Sequence, residues 1–347
     1  MTKLLRKLMD AAYKILEGNK ILSRFKPVLG ATDEFFFGTD KVTVGAPHIR
    51  DSIDLKRYMI TVLIAVLPCA AAGVYFFGIR VIGLIMVSYI AGGVCEVLFS
   101  VIRKKEINEG FLITGIIYPL ILPPDIPFWM AAVGIIVGVV FGKEVFGGTG
   151  KNIFNPAMVG RIFLAVAFPI EMTSEWRVPF ADAITSATPL ISFKGMGALA
   201  SNWNLLLGNI PGSVGETCKI AIILGGIFLI ITKVANWRIP LSYLGTLAVL
   251  SLVFNKIWPG SFAPPLFQLL SGGLLFGAIF MATDPVTSPF TQGARWIYGI
   301  LLGVLTVCIR GFSGYVEGVM FAIIFMNIFS PLLDQMILGF RFRNAGK

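Results

Sequence analysis

The chain has 347 residues, 56% of them hydrophobic and 14% charged, with a mean hydropathy of +0.82, whereas ordinary soluble domains carry about 25% charged residues. This composition belongs to a membrane protein and excludes a receptor with a large soluble domain; long apolar runs without period-two polarity exclude a β-barrel and predict helices. The formal net charge of +10 reads as Lys- and Arg-rich cytoplasmic loops of a multi-pass chain, with no nucleic acid partner.

Residues 1–57 form a polar arm with 11 basic and 7 acidic residues. Its first stretch, MTKLLRKLMDAAYKILEGNK, lacks a long apolar core and a small-residue cleavage site. It therefore reads as a short amphipathic helix on a cytoplasmic membrane surface and not as a signal peptide. Apolar runs follow at about 58–77, 80–102, 108–122, 127–147, 153–170, 218–235, 239–257, 265–283, 294–310 and 315–338, close to the roughly 20 residues that a crossing needs. With the N-terminus inside, 22 of the 29 basic residues fall on the cytoplasmic side, as the positive-inside rule requires. The C-terminus, residues 339–347, is then cytoplasmic too.

The expected architecture is all-α and polytopic, with about ten transmembrane helices. Residues 58–170 make a first five-helix repeat, 171–217 an external loop, and 218–338 a second repeat. The connection after the fourth run reads KEVFGGTGKNIFNPAMVGR and that after the eighth reads MATDPVTSPFTQGARW. Each half thus holds a Gly/Pro-interrupted polar stretch, which points to inverted repeats with a ligand site at their interface. Ordinary cytoplasmic loops are the plainer alternative.

Few residues carry chemistry on their own. His48 is the single histidine, so a His-based triad, multi-His metal site or haem site is excluded. Cys69, Cys95, Cys218 and Cys308 lack CxxC spacing, which supports neither a zinc site nor a cysteine-ligated cluster within this chain. FGGTGKN fails the phosphate-loop pattern because Asn152 follows Lys151 and Val145 stands where the first Gly belongs; turn and packing roles are expected instead. An ionised carboxylate costs several kcal/mol inside a membrane, which singles out Glu109, Asp284 and Asp334, with Glu96 and Glu144 weaker members of the set. They read either as oxygen ligands for a hard cation or as snorkelling and helix-capping groups. In the external loop, DAITSATPL (182–190) reads by composition as a turn or helix cap built on Thr185, Ser186 and Thr188.

Several long strings together resemble one family: APHIRDSIDLKR (46–57), INEGFLIT (107–114), GKEVFGGTGKNIFNPAMVGRIFL (142–164), GNIPGSVGE (208–216), FMATDPVTSPFT (280–291) and YVEGVMFAIIFMNIFSPLLD (315–334). The family holds the B subunits of sodium-translocating NADH:quinone oxidoreductases and their sisters, the D subunits of Rnf ferredoxin:NAD oxidoreductases. The resemblance implies a fold similar to that of urea transporters. It also implies FMN esterified through its phosphate to the last Thr of an external D-G-x-S/T-G-A-T motif. Here the motif aligns as Asp182, Ala183, Ile184, Thr185, Ser186, Ala187 and Thr188, with Ala183 and Ser186 in place of glycines, and Thr188 is the attachment residue.

Further implications of the resemblance are a non-covalent riboflavin nearer the cytoplasmic side, a quinone approached from that side, and Na⁺ as the transported ion. Glu109, Asp284 and Asp334 match family acids linked to sodium uptake. No catalytic residue is implied beyond the flavins. The expected protein is a multi-pass subunit of a bacterial inner-membrane translocase, incomplete as an enzyme by itself. It lacks a strand–Gly-rich–helix nucleotide unit, so partner subunits must supply NADH binding and iron–sulfur clusters, and a flavin transferase must mature it. An Rnf-type subunit without quinone chemistry is the nearest alternative. A non-redox solute channel or transporter, or a membrane scaffold, would be a colourless protein.

Overall fold

A computed structural model describes Lys14 and residues 55–103, 110–174, 176–180 and 187–343. The amphipathic N-terminal helix, Glu109, and Asp182 through Ser186 of the motif lie outside these residues. Among the described residues the chain is helical without a strand. Five helices are long and apolar enough to cross a membrane: α1 (Leu55–Phe77), α2 (Arg80–Arg103), α10 (Arg238–Ile257), α13 (Gln292–Phe312) and α14 (Val319–Phe342).

The other apolar runs are not continuous helices. The third is α3 (Gly110–Leu120), the fifth α5 (Pro156–Ala167) and the sixth α9 (Lys219–Ile231). At about 1.5 Å per residue none of them reaches across a ~30 Å hydrocarbon core alone. The fourth joins α4 (Phe128–Val139) to a π-helix (Val140–Glu144), and the eighth is divided into α11 (Pro265–Leu270), α12 (Leu274–Phe276) and a π-helix (Gly277–Met281). Hydropathy marks how much apolar chain is present, whereas the breaks follow from backbone chemistry. The prolines of PPDIP (123–127) cannot donate and force extended geometry on the residues before them. The freed carbonyls are satisfied inside the protein: Leu120 O accepts from Gly215 N (2.6 Å) and Leu122 O from Val214 N (3.2 Å), as buried non-helical backbone requires. Between the fifth and sixth runs lie three short helices, α6 (Pro169–Ser174), α7 (Pro189–Met196) and α8 (Asn202–Leu207).

The pattern of α2 is inside-out relative to a water-soluble helix. Ile82, Met86, Ile90, Val94, Leu98 and Ile102 form an exposed apolar stripe at four-residue spacing, while Ser88, Gly92, Glu96 and Ser100 are buried. Such a helix is stable only where its outer face meets hydrocarbon. Within the bundle, α2 packs on α3 and α4, α4 on α5, α10 on α11 and α13, α13 on α14, and α1 on both α3 and α9. The α4–α5 contact depends on glycine: a Cβ on Gly160 would lie 2.5 Å from Gly134 O and 2.9 Å from the Tyr118 ring.

Candidate functional site

The broken helices open two clefts, one at each end of α13, whose 21 residues span ~31 Å. At its N-terminal end is a cleft of about 690 Å³ lined by Tyr58, Thr114, Lys143, Asn152, Asn155 and Asp284, among others. The two Gly/Pro stretches meet here, since residues 143–156 and 283–286 both contribute to its wall. Their backbone explains the glycines. Gly147, Gly148 and Gly150 adopt φ of 113°, 99° and 85°, a region that side chains disfavour, so FGGTGKN is a turn. Asn155 then caps α5, accepting from Ala157 N at 3.0 Å, with Pro156 in the first helical position.

Asp284 lines this cleft and accepts from Val286 N (3.3 Å) and Thr287 Oγ1 (3.1 Å), closing a tight turn ahead of α13. The π-helix after α4 turns Lys143 and Glu144 inward, where Lys143 pairs with buried Glu96 and Glu144 with Arg103 at 3.0 Å. Asp334 is not part of the lining. Only 5% exposed on α14, it accepts from Phe290 N (3.0 Å), Thr291 N (2.8 Å) and Thr291 Oγ1 (2.6 Å). Its carboxylate therefore ties α14 to the residues just ahead of α13, whose N-cap is Thr291.

At the other end is a cleft of about 930 Å³ lined by Thr188, Trp176, Leu190, Ile191, Tyr315 and Arg161, among others. Thr188 is the N-cap of α7, its Oγ1 accepting from Ile191 N at 3.4 Å, and Pro189 opens the helix. The composition-based reading of a helix cap thus describes the local geometry of Thr188, and the same residue lines the cleft. Lys194 on α7 donates to Arg310 O (3.3 Å), Tyr315 O (3.2 Å) and Ser313 O, which seats α7 on the chain that follows α13. Desolvation lowers the pKa of this amine.

The floor of this cleft is charged. Arg161 pairs with Glu317 at 2.7 Å, and Glu317 also accepts from Gly273 N. Arg310 donates to Gln268 O (2.8 Å), Gln268 Oε1 (3.0 Å) and Ser271 O (3.1 Å). Lys219, fully buried, donates to Gly272 O (2.9 Å) and Glu216 O. These cations hold the carbonyls released where the helix breaks between α11 and α12. Glu216 Oε1 accepts from Ser213 N at 3.0 Å, while its buried Oε2 has no hydrogen-bond partner.

Reasoning from sequence misses this group, although Glu317 stands inside the apolar run at 315–338. The available signal was a set of cations, Arg161 inside one run and Lys219 and Arg310 at the ends of others.

Five membrane-length helices with apolar outer faces, and a cleft at either end of α13 lined by interrupted helices, define a multi-pass integral membrane protein. The chain belongs to the NQR2, RnfD, RnfE family, whose model matches residues 42–343. Among its relatives, the B subunit of the Na(+)-translocating NADH-quinone reductase of Klebsiella pneumoniae (strain 342) is 37% identical over 91% of this chain and 93% of the relative. The protein of the same description from Yersinia pestis is 38% identical over 91% of this chain and 92% of its own length. That of Pseudomonas aeruginosa (strain LESB58) is 36% identical over 96% of both chains.

Proposed function

We propose that this chain is the membrane redox subunit of a sodium-pumping NADH:quinone oxidoreductase, carrying FMN on Thr188 and relaying electrons through riboflavin to quinone. The observation that carries the reading is Thr188 itself, a half-buried residue at a helix N-terminus on the wall of a 930 Å³ cleft. The residues fit the group. A phosphate ester at that hydroxyl meets the positive end of α7, where Ile191 N–H already points at the Thr188 oxygen. Trp176, Tyr315, Leu190 and Ile191 offer aromatic and apolar surface for a ring system. Bound there, FMN supplies one- and two-electron redox chemistry, and the protein supplies position and electrostatics.

The 690 Å³ cleft is the proposed riboflavin site. Thr114, Asn152 and Asn155 bring amide and hydroxyl groups suited to a polar ring edge, and quinone approaches from that side. Asp284, on the same wall, is the acid best placed to meet Na⁺; Glu109 belongs to the same proposed pathway, and Asp334 braces it. The chain makes ten crossings as two inverted five-crossing repeats. Support comes from α2 contacting α3 and α4 as α10 contacts α11 and α13, and from breaks in the third and eighth crossings. Both termini are cytoplasmic, the Thr188 cleft faces outward from a bacterial inner membrane, and partner subunits bring NADH and iron–sulfur groups.

The test is to purify the complex from cells expressing the flavin transferase, resolve it on a denaturing gel and map the fluorescent peptide by mass spectrometry. FMN on the Thr188 peptide, absent in Thr188→Ala, is the expected result. An unmodified peptide despite an active transferase overturns the proposal and favours a non-redox channel or scaffold. Quinone reduction by the complex separates it from an Rnf-type assembly.

A further inference from the structure

The motif GNIPGSVGE ends in Glu216, and the positions of Glu216 and its neighbours suggest what the charged floor does. Gly272, with φ of 64°, lies at the break between α11 and α12. A Cβ on it would sit 2.8 Å from Leu190 of α7, 3.1 Å from Glu317 Oε1 and 3.2 Å from Arg310 Nη2. Its carbonyl is held by Lys219 at 2.9 Å. The start of α7, which carries the Thr188 cap, therefore rests almost directly on the ionic cluster. Arg161, Glu216 and Glu317 line both the large cleft and a smaller cavity of about 300 Å³ beneath it.

Among the described residues, the cluster holds three cations, Arg161, Lys219 and Arg310, against two carboxylates, Glu216 and Glu317. Arg161, Lys219, Arg310 and Glu216 are each no more than 6% exposed. One positive charge is left over in a poorly solvated place, where charge acts strongly and bulk salt screens it little. An excess of this sign disfavours a cation and favours an anion.

We propose that the floor of the Thr188 cleft is an anion-stabilising site that favours the flavin ring in its electron-loaded form, an inference that rests on the covalent-flavin reading. Each electron that NADH supplies through the partner subunits brings one negative charge into the cleft. The floor offsets that charge through space, forming no bond and giving up no proton, and the balance is restored when the electron leaves toward quinone. Arg161, Lys219, Arg310, Glu216 and Glu317 are positioning residues in this scheme, setting the potential without taking part in a covalent step.

The test is a potentiometric titration of the purified complex, with the covalent flavin isolated as the difference from Thr188→Ala. Glu216→Gln keeps the shape and the acceptor for Ser213 N but removes a negative charge, so the potential of that flavin rises. Arg161→Gln removes a positive charge, so the potential falls. The double variant Arg161→Gln/Glu317→Gln removes one of each, and its potential returns toward that of the unaltered complex. Opposite shifts with this return are not produced by general loosening of the fold. Shifts of one sign, no shift, or a double variant that fails to return overturn the proposal and leave the cations as braces for the broken helix. If Arg161→Gln does not assemble, the sign of the Glu216→Gln shift decides alone. A flavinated complex with unmoved potentials refutes the charge argument only, whereas a complex without flavin on Thr188 refutes both readings together.

Discussion

Replacing Asp334 tests whether this acid braces the helices. Its carboxylate accepts from two backbone N–H groups and one hydroxyl at the start of α13, and it is almost fully buried. Asp334→Ala leaves Phe290 N and Thr291 N without an acceptor. A buried unsatisfied donor costs about 1–3 kcal/mol; Thr291 is half-buried and Phe290 exposed, so the two together cost about that much and not twice it. Asp334→Asn retains one acceptor oxygen but turns an amide donor toward a donor, so it costs roughly half as much. The Ala variant of the purified complex therefore loses apparent Tm. The Asn variant falls between it and the unaltered complex. The assay is thermal unfolding in detergent at fixed scan rate, run with and without sodium. An Ala variant that unfolds at the unaltered temperature, with only the sodium dependence changed, would refute the bracing role and make Asp334 an ion ligand instead.

Other substitutions probe the remaining contacts. Thr188→Ser keeps a hydroxyl and the cap, so it retains a fluorescent flavin band on a denaturing gel, whereas Thr188→Val loses it. Gly160→Ala drives a methyl group against Gly134 O; overpacking of this kind costs about 1–3 kcal/mol and lowers the unfolding temperature without altering flavin content. Asp284→Asn keeps an oxygen for Val286 N and turns its amide to the Thr287 hydroxyl, which then accepts where it donated, so the fold is preserved while more Na⁺ is needed for half-maximal quinone reduction, read from a sodium titration. Lys194→Met removes the tie from α7 to Ser313 and Tyr315, and faster hydrogen exchange at Ile191–Met196 is the expected result.

How far the site can be read from sequence differs from residue to residue. Thr188 is proposed from resemblance alone, whereas its helix-cap character is legible in composition, because an Ncap is a local feature decided by a hydroxyl, a following Pro and the next turn. FGGTGKN was recognised as a turn for the same reason: positive φ is a property of glycine. The acids were found through the cost of burying charge, but that cost does not say how it is met. Asp284 lines a cleft and Asp334 ties two helices together, and the difference lies in residues 43 and 44 positions away along the chain. The charged residues of the Thr188 cleft floor stand out in the sequence one by one, but their pairing does not, since Arg161 and its partner Glu317 are 156 residues apart.

Composition and hydropathy alone determined that this chain lives in a membrane, that it is helical, and roughly where it turns, because the energetics of burying apolar side chains and satisfying backbone groups depend on local composition. Prolines and glycines mark where an apolar run can break, and tertiary structure decided which breaks are sustained. A broken helix survives only where distant groups take over its free carbonyls and N–H groups, as Gly215 does for Leu120 and Arg310 for Ser271. The same long-range pairing opens the two clefts. Their positions could therefore not be read from any single segment.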